Sequence, residues 1–177
     1  MVIDPPSLST ERLVLEPLGH HHSQGMFLLW SSAEVCRFSG PNVDRAGDPI
    51  SLPAATSTDS DKIIEYFEHA VLVGSGFRWA MIQHDGEEFV GAIGFNSLTP
   101  AAQLAFHLRP EFWGLGLMHE AATAALDWLR THRPNLPIEA FIEPRNVRSI
   151  KLARRLGFDT TGGSDRGAER YVLSCSI

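Results

Sequence analysis

Cysteine is nearly absent: the 177-residue chain carries two, Cys36 and Cys175, far apart and in unlike surroundings. Such a pair supplies neither a disulfide framework nor the close Cys/His spacing of a zinc site, and reads as free thiols in a reducing compartment. Also missing is any run of 18 apolar residues, which excludes a membrane-spanning helix. The first eleven residues lack a basic stretch followed by an apolar one, so no signal peptide is expected, and the cytoplasm is the expected location. An excess of positive charge is lacking too. Fifteen Lys and Arg stand against 21 Asp and Glu, a formal net charge of −6, whereas a nucleic-acid partner calls for a basic surface. No nucleic acid, membrane or metal partner is expected. The run His20-His21-His22 shows no evident fourth ligand and reads as the solvated start of a helix.

What is present suits one ordinary globular domain over 1–177: 44% hydrophobic and 20% charged residues, enough to bury a substantial core. Arg12 to Leu18 predicts a strand ended by Pro17, and His20 to Ser32 a helix with Met26, Phe27, Leu29 and Trp30 at helical spacing. Residues 40–60 turn to Pro, Gly, Ser, Thr and Asp, the composition of a long loop or lid. Asp61 to Val73 predicts an amphipathic helix closed by Gly74 and Gly76. Strands follow at Phe77 to Gln83, Glu88 to Asn96 and Gln103 to Leu108, with Asp85-Gly86 and Thr99-Pro100 as the turns.

A helix is expected from Leu117 to about His132, with Leu117, Ala121, Ala124, Ala125 and Trp128 on its apolar side and Pro134 as its stop. A strand at Pro137 to Glu143, a helix at Asn146 to Leu156 and a hairpin of Gly157 to Thr161 with Glu169 to Ser176 complete the chain. The order β-α-α-β-β-β-α-β-α-β-β gives helices around a mostly antiparallel sheet, with one β-α-β unit.

The loop of that unit carries the most information. A strand stops at Pro110, crosses Trp113-Gly114-Leu115-Gly116 and runs into a helix. Glycines let backbone N–H groups approach a ligand closely, and a helix start offers unpaired N–H donors at the positive end of its dipole. Together these make a cradle for a diphosphate.

Two motifs coincide around it. One is Phe106-His107-Leu108-Arg109-Pro110-Glu111-Phe112-Trp113-Gly114-Leu115-Gly116, with Glu120-Ala121 after it. The other is Glu143-Pro144-Arg145-Asn146-Val147-Arg148-Ser149-Ile150-Lys151-Leu152-Ala153-Arg154-Arg155-Leu156-Gly157-Phe158. Their order and separation resemble the GNAT superfamily of acetyl-CoA-dependent N-acetyltransferases, most of all the RimJ/RimL-like branch that acetylates ribosomal-protein N-termini. Thr10-Glu11-Arg12-Leu13-Val14-Leu15 resembles that branch's first strand. The resemblance runs from Thr10 to about Val172 and leaves only the 40–60 loop unmatched.

It implies a GNAT-like α/β (α+β) fold, a mixed and mostly antiparallel sheet flanked by helices, with a splayed strand pair at the CoA site. It further implies acetyl-CoA as co-substrate and direct transfer to a primary amine, either a peptide N-terminus or a small molecule. Phe106 to Leu108 would face the pantetheine arm, beside Trp113 as a pocket aromatic. The amides of Gly114, Leu115, Gly116, Leu117 and Met118 would hold the diphosphate. Asn146 would bond the pantetheine, and Ser149 would return a proton to the departing thiolate. Arg148, Lys151, Arg154 and Arg155 form a basic cluster suited to the 3′-phosphate, with Arg154 the chosen contact.

The sequence departs from the family at three positions. Leu115 stands where a basic residue is frequent, Glu111 where Gln or Arg is common, and Gln103 where a Glu often serves as base. Gln cannot accept a proton, which leaves Glu143, His107 and Glu139 as candidate bases. An α-amine has a pKa near 8 against about 10.4 for lysine, so a weak base favours a peptide N-terminus. A CoA-binding sensor or interaction module on the same fold is the alternative. A dinucleotide-binding oxidoreductase fits poorly, because His119 occupies the third glycine position. Monomer and homodimer both stay open.

Overall fold

A computed structural model describes residues 4–85 and 88–174. Gly86 of the expected hairpin turn, Cys175 and Ser176 lie outside them. Eight strands form one sheet in the order β1-β2-β3-β4-β5-β6-β8-β7. These are β1 (Leu8–Ser9), β2 (Leu13–Pro17), β3 (Phe77–Gln83), β4 (Phe89–Leu98), β5 (Ala102–Leu108), β6 (Ile138–Ile142), β7 (Phe158–Asp165) and β8 (Ala168–Leu173). The helices are α1 (Ser23–Trp30), α2 (Ala33–Cys36), α3 (Ser57–Val73), α4 (Leu117–His132) and α5 (Val147–Arg155). All strand pairs are antiparallel except β5 with β6, which flank the β-α-β unit built on α4.

Period-two alternation sorts the strand residues between two cores. Leu13, Leu15, Phe77, Trp79, Met81, Ile93, Phe95 and Leu104 pack with Leu117, Ala121, Ala125 and Leu129 of α4. The opposite-facing Ala80 and Ala92 meet Met26, Leu29 and Trp30 of α1 and Ile63, Ile64 and Phe67 of α3. Burying each Leu, Ile or Phe stabilises the fold by roughly 1.5–3 kcal/mol. The buried stripe of α4 is Leu117, Met118, Ala121, Ala122, Ala125, Leu126 and Leu129. It is turned away from the expected Ala124 and Trp128, which lie half-buried at its margin.

Three expectations of extent are corrected. Helix α3 starts at Ser57 rather than Asp61, because Asp59 accepts bonds from the Thr56 amide (3.0 Å) and hydroxyl (2.9 Å) and fixes an earlier first turn. The 40–60 segment is correspondingly shorter as a loop and is partly ordered by a Val43–Pro49 bridge. The helix expected over His20 to Ser32 divides into a 3-10 turn at His20–His22 followed by α1, and the short α2 was not anticipated.

Candidate active site

Strands β5 and β6 pair only at Ala102–Ile138 and Gln103–Glu139. Beyond those two residues the strands are no longer paired, and they open as a V whose arms continue into the glycine loop on one side and the start of α5 on the other. The loop is fastened at its entry. Arg109 donates to the Phe89 carbonyl (2.7 Å), to Glu88 (3.0 Å) and to Glu111. That last pair neutralises Glu111, so an acidic residue at this point does not set an unpaired negative charge against a phosphate. Trp113 donates its indole N–H to the Leu108 carbonyl at 2.7 Å, folding its ring back onto the end of β5.

Gly114 and Gly116 take φ of +78° and +80°, the left-handed region that side chains rarely enter. A Cβ at Gly114 would meet nothing within 4 Å, so that glycine is required by backbone conformation and leaves open space beside it. Gly116 is the N-cap of α4 and has no side chain to bond the first-turn amides of Leu117, Met118 and His119. The cap of α5 is different. Asn146 Oδ1 accepts the Ser149 amide at 3.2 Å, so its carboxamide N–H₂ is left to donate elsewhere. Among the described residues Ser149 Oγ has no hydrogen-bonding partner.

Arg148, on the first turn of α5, lays its guanidinium 4.4 Å over the Trp113 ring. This cation–π contact spans the open end of the V from one arm to the other. Outside the loop lies a groove of about 630 Å³ lined by Arg12, Leu115, Gly116, His119, Glu120 and Arg155. Arg155 lines this groove; Arg154, expected at the 3′-phosphate, is exposed on the same helix and is not among the lining residues.

The candidate bases separate clearly. Alternation places Gln103 and His107 on the side of β5 that faces α1 and α3, opposite Leu104 and Phe106. The His107 ring packs on Trp30 with centroids 4.5 Å apart. Desolvation, then the nearby Arg78 guanidinium, pushes its pKa down to about 3. An imidazole so acidic in its protonated form holds a proton about five orders of magnitude less well than an α-amine. His107 is therefore corrected from candidate base to neutral lining residue.

Arg78 itself is buried and lowered by desolvation to about 9, so it stays charged at neutral pH. It donates to the Ala105 carbonyl and to Asn96 Oδ1 at 2.5 Å. Glu139 is engaged by Arg170 at 2.6 Å. Glu143 stands just past the end of β6. Its Oε1 accepts from Arg145 at 2.5 Å, while its Oε2 is buried with no hydrogen-bonding partner among the described residues. A buried carboxylate oxygen without a donor leaves an acceptor position unfilled.

The turn at His20–His22 is not solvated throughout as expected, because His22 is buried. Ligand atoms of Glu16, His21 and His22 lie within 4.8 Å of one another. Yet His22 Nδ1 accepts the Gly19 amide at 3.2 Å, which puts the ring proton on Nε2, where it donates to Glu16 at 3.1 Å. In this arrangement the His22 ring is hydrogen-bonded at both nitrogens.

A splayed parallel pair, a positive-φ glycine loop at a helix start and an asparagine-capped second helix together fit a CoA-dependent transferase. The chain matches the acetyltransferase (GNAT) domain family over residues 12–159. It belongs to the GNAT family of acetyltransferases. This GNAT chain is 32% identical to the ribosomal protein uS5-alanine N-acetyltransferase of Escherichia coli over 159 residues, 88% of this chain and 79% of that one. An uncharacterised N-acetyltransferase of Bacillus licheniformis is 28% identical over 88% of this chain and 84% of its own length.

Among solved structures, RimL, a ribosomal L7/L12 α-N-protein acetyltransferase in complex with coenzyme A, superposes with a TM-score of 0.77 at 16% identity, covering 94% of this chain and 96% of that one. An acetyltransferase from Agrobacterium tumefaciens gives 0.75 at 21% identity, with 98% and 97% covered. These last two likenesses bear on the fold, which is that of GNAT enzymes, and the chain is an N-acetyltransferase.

Proposed function

We propose that this GNAT enzyme transfers the acetyl group of acetyl-CoA directly to the N-terminal α-amine of a protein. The observation that carries the proposal is the V between β5 and β6, which pairs over two residues and then ends at the Gly114–Gly116 loop. Unpaired strand edges suit an amide-bearing chain such as pantetheine, and the loop and first-turn amides suit a diphosphate. Gly114, Leu115, Gly116, Leu117 and Met118 would hold the diphosphate through backbone N–H groups. Phe106 and Leu108 would line the pantetheine path and Asn146 would donate its free N–H₂ to it. Bound acetyl-CoA supplies an activated acyl carbon and a thiolate leaving group.

The protein's own part is to orient the amine and move two protons. Glu143 Oε2, buried and unpartnered, receives the proton lost by the amine. The Ser149 hydroxyl, one turn into α5, supplies the proton that the thiolate needs. An α-amine is partly neutral at pH 7, so one carboxylate and no strong base suffice. The uS5-alanine acetyltransferase relative, which acts on a protein alanine, supports a protein N-terminus as acceptor. The cytoplasm suits the enzyme: Cys36 is a free thiol, and among the described residues no helix is long and apolar enough to cross a membrane.

The test is thiol release from acetyl-CoA with a panel of peptides differing at their first residue, beside lysine and small amines. Faster turnover with free peptide N-termini is expected. Glu143→Gln should lower kcat about a hundredfold or more, the usual worth of a general base, with the KM for acetyl-CoA little changed. CoA binding without thiol release from any amine would refute the catalytic reading.

A further inference from the structure

The glycine loop owes its shape to something outside it. Its two glycines carry the greatest backbone freedom of any residue, and Leu115 between them is 54% exposed and anchors nothing. Arg12, which immediately precedes β2, reaches the loop from 103 residues away in sequence and donates Nη1–H to the Leu115 carbonyl at 2.9 Å. Its Nη2 lies 3.5 Å from where a Gly116 Cβ would stand. The guanidinium is held in turn by Glu120, on the first turn of α4. That carboxylate accepts from Arg12 Nε (2.8 Å), from the Arg12 amide (2.8 Å) and from the Thr10 hydroxyl (2.6 Å). Burial alone would raise the Glu120 carboxyl, but these donors outweigh it and hold it below the usual range.

Peptide geometry gives this clamp its consequence. The Leu115 carbonyl and the Gly116 N–H belong to one planar trans unit and point in opposite directions. Tying the carbonyl to Arg12 therefore aims the Gly116 N–H away from Arg12. Glu120, moreover, is an acid on the first turn of the helix whose N-terminus would face a diphosphate, where its charge would act against the ligand. Arg12 cancels that charge.

We infer that Arg12 and Glu120, with Thr10, are positioning residues that set the Gly114–Gly116 loop for the diphosphate of CoA, acting through the Leu115 carbonyl and without contact to the reacting atoms. The inference rests on the acetyl-CoA reading above. In a binding titration with CoA, Arg12→Ala raises the Kd at least tenfold, while kcat at saturating acetyl-CoA moves less than threefold and the melting temperature falls by only a few degrees. Arg12→Lys cancels Glu120 but cannot hold both Glu120 and the carbonyl with one ammonium, so it recovers only part of the affinity. Arg12→Ala/Glu120→Ala binds no worse than Arg12→Ala, because the two residues act through one contact.

Amide hydrogen exchange across residues 114–118 of the unliganded protein provides a readout independent of CoA, and it speeds up in Arg12→Ala. Wild-type affinity in Arg12→Ala, or unchanged exchange in the loop, overturns the clamp. Failure of the wild-type protein to bind CoA would instead overturn the acetyl-CoA reading, and the exchange measurement would still decide whether Arg12 sets the loop.

Discussion

Valine in place of Gly116 separates what the loop does from what the fold needs. At φ +80° a β-branched residue is strained by about 1–3 kcal/mol. Crowding adds little, since the nearest atom to the new Cβ would be Arg12 Nη2 at 3.5 Å. For a chain of this size each kcal/mol is worth about 2–4 °C, so the melting temperature falls by about 2–12 °C. The lower end holds if the loop relaxes by turning its peptide units to negative φ.

That relaxation is what CoA would feel. A backbone N–H bonded to a charged group is worth about 1.5–3 kcal/mol. Misaiming two of them removes about 3 kcal/mol or more, roughly a hundredfold in affinity. Thermal melts with and without CoA read both effects. At a hundred times the wild-type Kd, bound CoA stabilises the wild-type protein by about 2.7 kcal/mol, or about 5–11 °C. The same concentration stabilises Gly116→Val by about 0.4 kcal/mol, or about 1–2 °C. A variant whose CoA-induced shift equals the wild-type value would show that the loop does not bind the diphosphate.

The two helix-start residues and His107 give sharper outcomes. Ser149→Ala leaves the backbone bond to Asn146 in place, so kcat should drop about tenfold or more with CoA affinity retained; an unchanged rate would dismiss the hydroxyl as proton donor. Asn146→Ala loses an N-cap worth about 0.5–2 kcal/mol, whereas Asn146→Asp keeps a capping oxygen but no amide donor. The aspartate variant should therefore melt near the wild-type temperature yet bind CoA weakly, and wild-type CoA affinity in Asn146→Asp would reduce Asn146 to a cap. For His107 the sign follows from its depressed pKa of about 3. The unfolded chain, with an ordinary value near 6.5, binds more protons, so this residue makes stability rise with pH between about 3 and 6.5 and stay level above. His107→Gln should flatten the fall in urea midpoint between pH 7.5 and 5, and an unaltered slope would contradict the neutral imidazole packed on Trp30.

The elements that position the site were legible because local signals agreed with the fold. Phe77 to Gln83 and Leu117 to His132 come out with the boundaries that their periodicity predicts, and Gly157 closes α5 as expected. Thr56 and Asp59 carry a readable capping signal, an acid three residues after a threonine, while the apolar stripe that points to a start at Asp61 begins only at Ile63. The α4 stripe is misleading at Trp128: a large aromatic looks like core, but it lies half-buried at the margin, stacked on His132.

The site divides along the same line. Gly114, Gly116, Asn146 and Ser149 sit next to each other in sequence or at helix-start spacing, so their chemistry shows in the chain. Arg12 and Glu120 are 108 residues apart, and the Arg12 bond is to a backbone carbonyl, which leaves no mark on the identity of Leu115. His107 fails as a base for a comparable reason. Its acidity is set by Trp30 and Arg78, from a helix and a strand that meet it only in the folded sheet. Glu143 is distinguished by an Oε2 without a partner among the described residues, a property of the folded environment. Groups that bind through the backbone are thus announced by glycine and by caps. Whether a side chain can take a proton is defined by what surrounds it, and for His107 those surroundings come from β3 and α1.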